Sequence, residues 1–361
     1  MIPDFLRARS YANAIEALSA RIAALEGRLA ALDASNKATA LAALEERVAA
    51  AEARSRRAAV YDIPVSLRGD FYERDDRPRD MQEYWSRHNV TNHREFTSIA
   101  ESLDYLQYRN MQYPGYIDLL PVSGCDGKTV LDYGCGPGND LVGFSHWSHP
   151  KRLIGADVSV PSLEQAKARL LLHGASAELI HMPYGSYSLP LENESVDYIH
   201  CSGVLMLVED PPKMLREFRR VLRRNGEARI MVYNHDSLWL HLYVAYIVRL
   251  ERGLYAERTM CESFARTTDG EYCPFVHVWR PAEVGSMAAE AGFAAEFIGA
   301  ALSLWELHLL PLRFKALLDP RLPGESRDFL LGLVLDEHGY PRHRGAYAGI
   351  DACYRLRPSE A

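Results

Sequence analysis

The sequence predicts an α/β protein, with a doubly wound, seven-stranded, mostly parallel sheet preceded by a long α-helical arm. Three observations lead there. Between residues 129 and 298, short apolar, β-branched runs alternate with amphipathic runs of helical period, the pattern of βαβ units. The stretch VLDYGCGPGND, Val130 to Asp140, reads as a buried strand feeding a helix through a glycine-rich turn. Residues 12–57 are rich in Ala, Leu, Glu and Arg, lack proline and repeat apolar residues at heptad spacing.

The elements follow in order. Ile15, Leu18, Ile22, Leu25, Leu29 and Leu32 form a 3,4 seam, and Arg21/Glu26 and Arg28/Asp33 place opposite charges beside it. That suits a parallel pair of helices and predicts a homo-oligomer through a coiled coil within residues 1–57. The phase slips near Asp33–Lys37, and Leu41, Leu44 and Val48 begin a second seam. Residues 58–80 read as a linker broken by Pro64, Gly69 and Pro78. Residues 81–361 read as one domain, with a helical insertion at about 237–280 and an extension over 301–361. It opens with aromatic-rich helices over 81–120.

Strands are expected at 129–133, 152–156, 177–181, 196–200, 227–233 and 293–298, with a final one at 347–356. Between them, a helix over 160–174 starts at Ser159 or Ser162. Another spans 211–224, with Met214, Leu215, Phe218, Val221 and Leu222 inward and Asn225–Gly226 as its stop. Residues 237–250, SLWLHLYVAYIVRL, form an apolar helix too short to cross a bilayer. Residues 265–279 read as a polar loop around the turn Asp269–Gly270. A helix over 281–292 and helix-like segments at 303–318 and 326–335 complete the set.

Composition narrows the class. At 361 residues, 48% hydrophobic and 25% charged, the chain is long enough for one large domain and an extension. A net charge of −7 argues against nucleic acid as the main partner. The six cysteines form no CxxC pair and no zinc spacing. No apolar run reaches a membrane-spanning length, and the N-terminus has no apolar signal core, so a cytoplasmic protein with reduced cysteines is expected.

Three glycines, Gly134, Gly136 and Gly138, alternate through the central turn. They permit positive φ and leave the backbone bare to a ligand, while the following helix N-terminus offers free N–H groups. By itself this suits a dinucleotide as well as other cofactors. Asp132, at the strand end, can meet a cationic amine. Asp157, at the end of the second strand, can take both ribose hydroxyls.

Leu131–Gly138 matches the pattern LDxGCGxG, and at this point the chain resembles the class I S-adenosylmethionine-dependent methyltransferases, which have a Rossmann-like sheet. The resemblance covers roughly residues 105–297 and includes SVDYIHCSGVLMLVEDPPKMLREFRRVLRRNGEARIMVYN. It implies S-adenosyl-L-methionine as cofactor, held by Asp132, Gly134, Gly136, Gly138, Asp157, Val158, Met182 and Ser202. It also implies that the aromatic helices before the first strand close over the site, and that residues 265–279 recognise the acceptor. Two positions depart from the pattern. Met206 stands where relatives carry a polar residue, and Gly185 where they carry an acid for the adenine amine, so backbone around Met182–Tyr184 or the Ser186 hydroxyl would serve.

Methyl transfer asks the protein to position an acceptor and exclude water, and a hydroxyl acceptor gains from a general base. His235 and Asp236, directly after the fifth strand, are the expected catalytic residues. His181 and His200 lie on the same edge. No metal site is expected, His146 and His149 lacking a matching carboxylate. The acceptor is expected to be a small molecule or glycan, reached by O-methylation of a saccharide or polyhydroxylated metabolite in a bacterial pathway. A quinone, lipid or other natural product is the alternative, and a cofactor-binding scaffold without activity a third reading.

Overall fold

The computed structural model describes residues 78–91 and 93–359. The coiled coil expected within 1–57, the oligomer inferred from it and the linker up to residue 77 lie outside the described residues.

Strands β1 (Thr129–Tyr133), β2 (Arg152–Asp157), β3 (Glu178–His181), β4 (Val196–Ser202), β5 (Leu222–Tyr233) and β6 (Phe293–Ala301) belong to one sheet. A small antiparallel sheet follows, of β7 (Val334–Leu335), β8 (Pro341–His343) and β9 (Ala346–Tyr347). The last strand, β10 (Asp351–Pro358), returns to the main sheet and runs antiparallel between β5 and β6. The resulting order is β3-β2-β1-β4-β5-β10-β6, with β1 to β5 parallel. Every residue of β1 is buried, as a central strand covered on both faces requires.

Twelve helices bear on the site and its surroundings: α1 (Met81–Arg87), α2 (Ile99–Met111), α3 (Tyr116–Leu119), α4 (Asn139–Trp147), α5 (Val160–Leu172), α6 (Pro211–Val221), a π-helix (Trp239–Glu251), α7 (Met260–Thr268), α8 (Pro281–Glu290), α9 (Leu304–Leu309), α10 (Arg313–Leu318) and α11 (Gly324–Leu331). Local chemistry sets their starts. Ser159 caps α5 by accepting from the Ser162 amide at 3.2 Å, and Asp210 caps α6 by accepting from Lys213 at 3.0 Å. The inward face of α6, Met214, Leu215, Phe218 and Val221, is wholly buried.

Several boundaries differ from expectation, each for a packing reason. Helix α6 stops at Val221 and β5 begins at once at Leu222, so Asn225–Gly226 lies inside the strand, where the β4–β5 register shifts. A side chain at Gly226 would meet the Asp197 carbonyl at 2.8 Å, which is why glycine stands there. The final strand begins at Asp351, because Ala346–Tyr347 pairs with β8 instead. Residues 265–268 are helical, in α7, started by the reciprocal Thr259/Glu262 cap. The segment 303–318 is broken into α9, a 3₁₀ turn and α10, and 326–335 ends in β7 rather than in helix. The apolar segment 237–250 becomes the π-helix, buried all round from Leu240 to Val248. No helix among the described residues is long and apolar enough to cross a membrane.

Candidate functional site

A cavity of about 360 Å³ opens where the carboxyl ends of the parallel strands meet α1–α3. Ligands of open α/β sheets bind at this edge, and the volume lies in the range of small-molecule sites. The glycine-rich turn forms one part of its wall.

The three turn glycines all take positive φ, at 77°, 51° and 79°. Their surroundings differ. A Cβ on Gly134 would lie 2.1 Å from Val204 Cγ2, and one on Gly138 would lie 3.1 Å from the Ala166 backbone. Those two glycines let β4 and α5 close in. A Cβ on Gly136 would meet no atom, and Gly136 lines the cavity. The Gly136 amide donates to Asp157 Oδ2 at 2.8 Å, and the Ser159 amide to Oδ1 at 2.8 Å. Asp157 is thus aimed into the cavity with acceptor capacity left over. Val158, Met182 and Ser202 line the same space, as do Tyr184, Gly185 and Ser186. Met182 is pinned by its amide to the Asp157 carbonyl at 2.8 Å.

Asp132 sits beneath the turn, 2% exposed, opposite His200 in the β1–β4 register. Its Oδ2 is buried without a hydrogen-bond partner. Burial pushes its carboxyl above the usual range, with His200 opposing and Asp140 adding to the rise. His200 is fully buried in β4, with both ring nitrogens unbonded and Nε2 3.4 Å from Asp140 Oδ2, so it is not satisfied in the core by hydrogen bonds. Asp140, on α4, takes a two-pronged pair from Arg109 of α2 at 2.9 and 2.6 Å. Burial works against the Asp140 charge, but Arg109 overcomes it and holds the carboxyl well below its usual range. Sequence reasoning missed this pair, because its halves lie 31 residues apart on two helices.

The rest of the wall comes from five distant segments. Tyr113 precedes α3 and Tyr116 opens it, Met206 and Met231 add apolar surface, Tyr233 ends β5, Asp269 follows α7 and Asp351 opens β10. The Tyr233 hydroxyl donates to both Asp269 oxygens at 2.9 and 3.1 Å, and Thr268 Oγ1 to Oδ2 at 2.6 Å. Tyr84 of α1 donates to the Asp269 carbonyl, and Tyr116 hydrogen-bonds Ser202. Burial pushes Asp269 up to about 6 despite the hydroxyl donors. Asp351 rises well above the ordinary range through burial and the nearby Glu306 and Asp269 carboxylates. The described lining carries five carboxylates, Asp140, Asp157, Glu209, Asp269 and Asp351, against the single guanidinium of Arg109. The DG turn at Asp269–Gly270 was visible in the sequence, but nothing local marks Asp351.

His235 and Asp236 do not line this cavity. After Tyr233 the chain turns away: Asn234 bridges to Trp279, and the His235 amide donates to the Trp279 carbonyl at 2.9 Å. This takes both side chains off the strand edge, correcting their expected place beside the acceptor. His181, at the end of β3, is exposed and outside the lining. The π-helix contributes nothing to the cavity either, and packs inside the fold. Of the expected cofactor residues, the cavity wall brings together Gly134, Gly136, Asp157, Val158, Met182 and Ser202, while Asp132 and Gly138 support it from behind.

Residues 130–226 match the family model described as a methyltransferase domain. An uncharacterised 37.1 kDa protein of transposon TN4556 from Streptomyces fradiae is 38% identical over 114 residues, 31% of this chain and 32% of that protein. A tRNA U34 carboxymethyltransferase from Campylobacter curvus is 34% identical over 109 residues, 30% of this chain and 36% of its own. The chain therefore spans about a third of the length of these curated relatives. Among solved structures, the YcgJ protein from Bacillus subtilis covers 67% of this chain and 97% of its own, at 19% identity and a TM-score of 0.43. The chain carries a methyltransferase domain on a Rossmann-like sheet, and S-adenosylmethionine is the cofactor of that domain. The cavity's chemistry fits that cofactor: Asp132 offers an orphaned buried carboxylate oxygen to an ammonium group, Gly136 a bare backbone, and Asp157 free acceptor positions to a diol.

Proposed function

We propose that the protein is an S-adenosylmethionine-dependent methyltransferase that methylates a hydroxyl of a small, polyhydroxylated acceptor, a saccharide being the favoured class. The observation that carries the reading is the pair Asp269 and Asp351 in the cavity that also holds Gly136 and Asp157. Asp157 would hold the ribose end of the cofactor, Asp132 would act on its ammonium end from beneath the turn, and Arg109 suits its carboxylate. When bound, the cofactor supplies an electrophilic methyl group on a sulfonium centre.

The protein's own residues do the rest. Tyr233 and Thr268 fix the Asp269 carboxylate by hydrogen bonds, so it needs no reorganisation to accept a proton. A carboxyl pushed up to about 6 is matched to general-base work near neutral pH. Asp269 would take the proton of the acceptor hydroxyl, while the methyl group that this oxygen gains would come from the bound cofactor, whose carbon–sulfur bond breaks and whose sulfonium leaves as a neutral thioether. Asp351 accepts from a second hydroxyl and orients the acceptor. Tyr113, Tyr116 and Met206 exclude water from the same space.

Met206, Leu207, Val208 and Met231 give the wall an apolar side, which favours a quinone or lipid acceptor as the second reading. The test is transfer of labelled methyl from S-adenosylmethionine by the full chain to a panel of saccharides, glycan fractions and quinones, with Asp269→Asn in parallel. Labelled saccharide in the wild type, lost in the variant while cofactor binding persists, is the expected result. Labelled quinone alone would replace the first reading with the second. Cofactor binding with no labelled acceptor of any class would favour the scaffold reading.

A further inference from the structure

Behind the end of β5, away from the cavity lining, three histidines and two carboxylates converge. His235 and Asp236 come from the turn after β5, His241 from the first turns of the π-helix, His343 from β8 and Glu325 from α11. Ligand atoms of His235, Asp236 and His241 all lie within 4.8 Å of one another. His235 Nδ1 is 3.2 Å from Asp236 Oδ1, and His343 Nδ1 is 3.7 Å from Asp236 Oδ2. Two donors on a tetrahedral ion with bonds of about 2.0–2.2 Å stand roughly 3.4 Å apart. The observed pairs bracket that spacing.

We propose that His235, Asp236 and His241 bind one divalent transition-metal ion, zinc before others, with His343, whose Nδ1 stands beside the Asp236 carboxylate but outside that three-residue group, turning in as the fourth ligand. Three imidazoles and one carboxylate suit a borderline ion, whereas magnesium and calcium ask for oxygen donors. The second layer is in place as well. His241 Nδ1 lies 3.1 Å from Ser326 Oγ, which leaves Nε2 for the ion. His235 Nε2 lies 3.5 Å from Glu325 Oε1, and Glu325 is itself paired with Arg280. Phe329 stacks on His241 at 4.3 Å and packs on His343 at 4.6 Å, forming an apolar side to the site. Asn234 Nδ2 donates to the Asp236 carbonyl at 3.0 Å and to the Gly349 carbonyl at 2.9 Å, fixing the turn that carries two of the ligands. The ion would clamp β8 and the approach to β10 onto the exit of β5, and so would steady the segment that delivers Asp351 to the cavity.

The test uses the full chain, stripped with a chelator and dialysed. Zinc is then titrated calorimetrically, and cobalt(II) is added as a visible reporter of tetrahedral nitrogen–oxygen ligation. The expected result is about one ion per chain, a raised melting temperature on binding and the intense visible bands of tetrahedral cobalt. His343→Ala, at a half-buried position, should weaken zinc binding by about tenfold or more, while S-adenosylmethionine affinity stays within about twofold. His241→Ala should do the same or more, with cofactor binding reporting whether the variant folds. Failure of the wild type to take up zinc in the micromolar range would overturn the site and leave an imidazole–carboxylate ion-pair cluster. So would zinc binding that His343→Ala leaves unchanged.

Discussion

The two ends of the cavity handle charge in opposite ways. At the glycine-rich end, Asp157 meets two backbone amides and Asp140 meets the two prongs of Arg109, so anionic carboxylates have donors waiting. At the other end, half-buried Asp269 and buried Asp351 lie near each other, with Glu306 beside Asp351, and the lining brings no guanidinium or ammonium there beyond Arg109. Glu306 is fully buried and accepts from the Trp239 and Ser303 amides at 3.0 and 2.8 Å, yet burial still pushes it up to about 7. At the first end Arg109 fixes the charge of Asp140, although burial raises the Asp132 and Asp157 carboxyls. The second is organised to gain or release a proton, which is what an acceptor site asks for.

Breaking the acceptor end should give the largest effect. Asp269→Asn keeps the shape, turns one of the two acceptor oxygens into a donor and removes the base, and should lower the single-turnover methyl-transfer rate by about 10²–10⁴-fold. Cofactor affinity, read by calorimetry, should hardly move. Equal losses of rate and cofactor affinity would mean that the two ends are not separable.

Next comes the turn. Gly134→Ala forces both a positive φ and an overlap with Val204, and should destabilise the fold by about 2–4 kcal/mol in denaturant unfolding. Gly136→Ala carries the φ strain without the overlap, and about 1–2 kcal/mol is expected. Equal costs would refute the distinction between a packing glycine and a ligand-facing one.

Asp157→Ala should weaken S-adenosylmethionine binding by about 1–2 kcal/mol, the scale of lost hydrogen bonds to a charged group, without changing acceptor preference.

The smallest effect is in pH, and it sets the raised carboxyls against Asp140. Asp269 and Glu306 bind protons more tightly folded, at about 6 and about 7, than their ordinary values of 3.8 and 4.5. Protonation therefore favours the folded state. Their destabilisation is full above about pH 7 and is relieved as pH falls from there toward 4. Asp140, held low by Arg109, acts oppositely: its stabilisation is present above its ordinary value and is lost only in stronger acid. The ligand-free protein should melt higher at pH 5.5 than at pH 8. Cofactor affinity should fall over the same interval, as the raised Asp132 carboxyl takes up a proton. Parallel pH trends would show that the acceptor-end carboxylates do not control stability.

Much of the cofactor end was legible because its signals are local. The turn glycines, Asp132 and Asp157 belong to two successive strand ends, and a short-range pattern captures why each residue type is needed. The strand–helix alternation up to β6 was legible for the same reason, since period and caps are written within each element. What failed was longer in range. Asn225–Gly226 looks like a helix stop, but pairing with β4 absorbs it into β5. The apolar stretch after β5 reads as an ordinary helix, but it winds as a π-helix buried all round from Leu240 to Val248.

By itself, the sequence determined the sheet's class, the glycine turn and the carboxylates beside it, because each depends on backbone freedom and periodicity within a few residues. Only the tertiary structure decided the cavity wall around Asp269 and Asp351. Tyr233 and Asp269 are 36 residues apart, and Asp351 reaches them because β10 runs antiparallel with Asp351 in register with Tyr233. It also moved His235 and Asp236 out of the cavity and set them among His241 and His343. Strand pairing across long loops places those side chains, and no local propensity encodes which distant strand a chain segment will join.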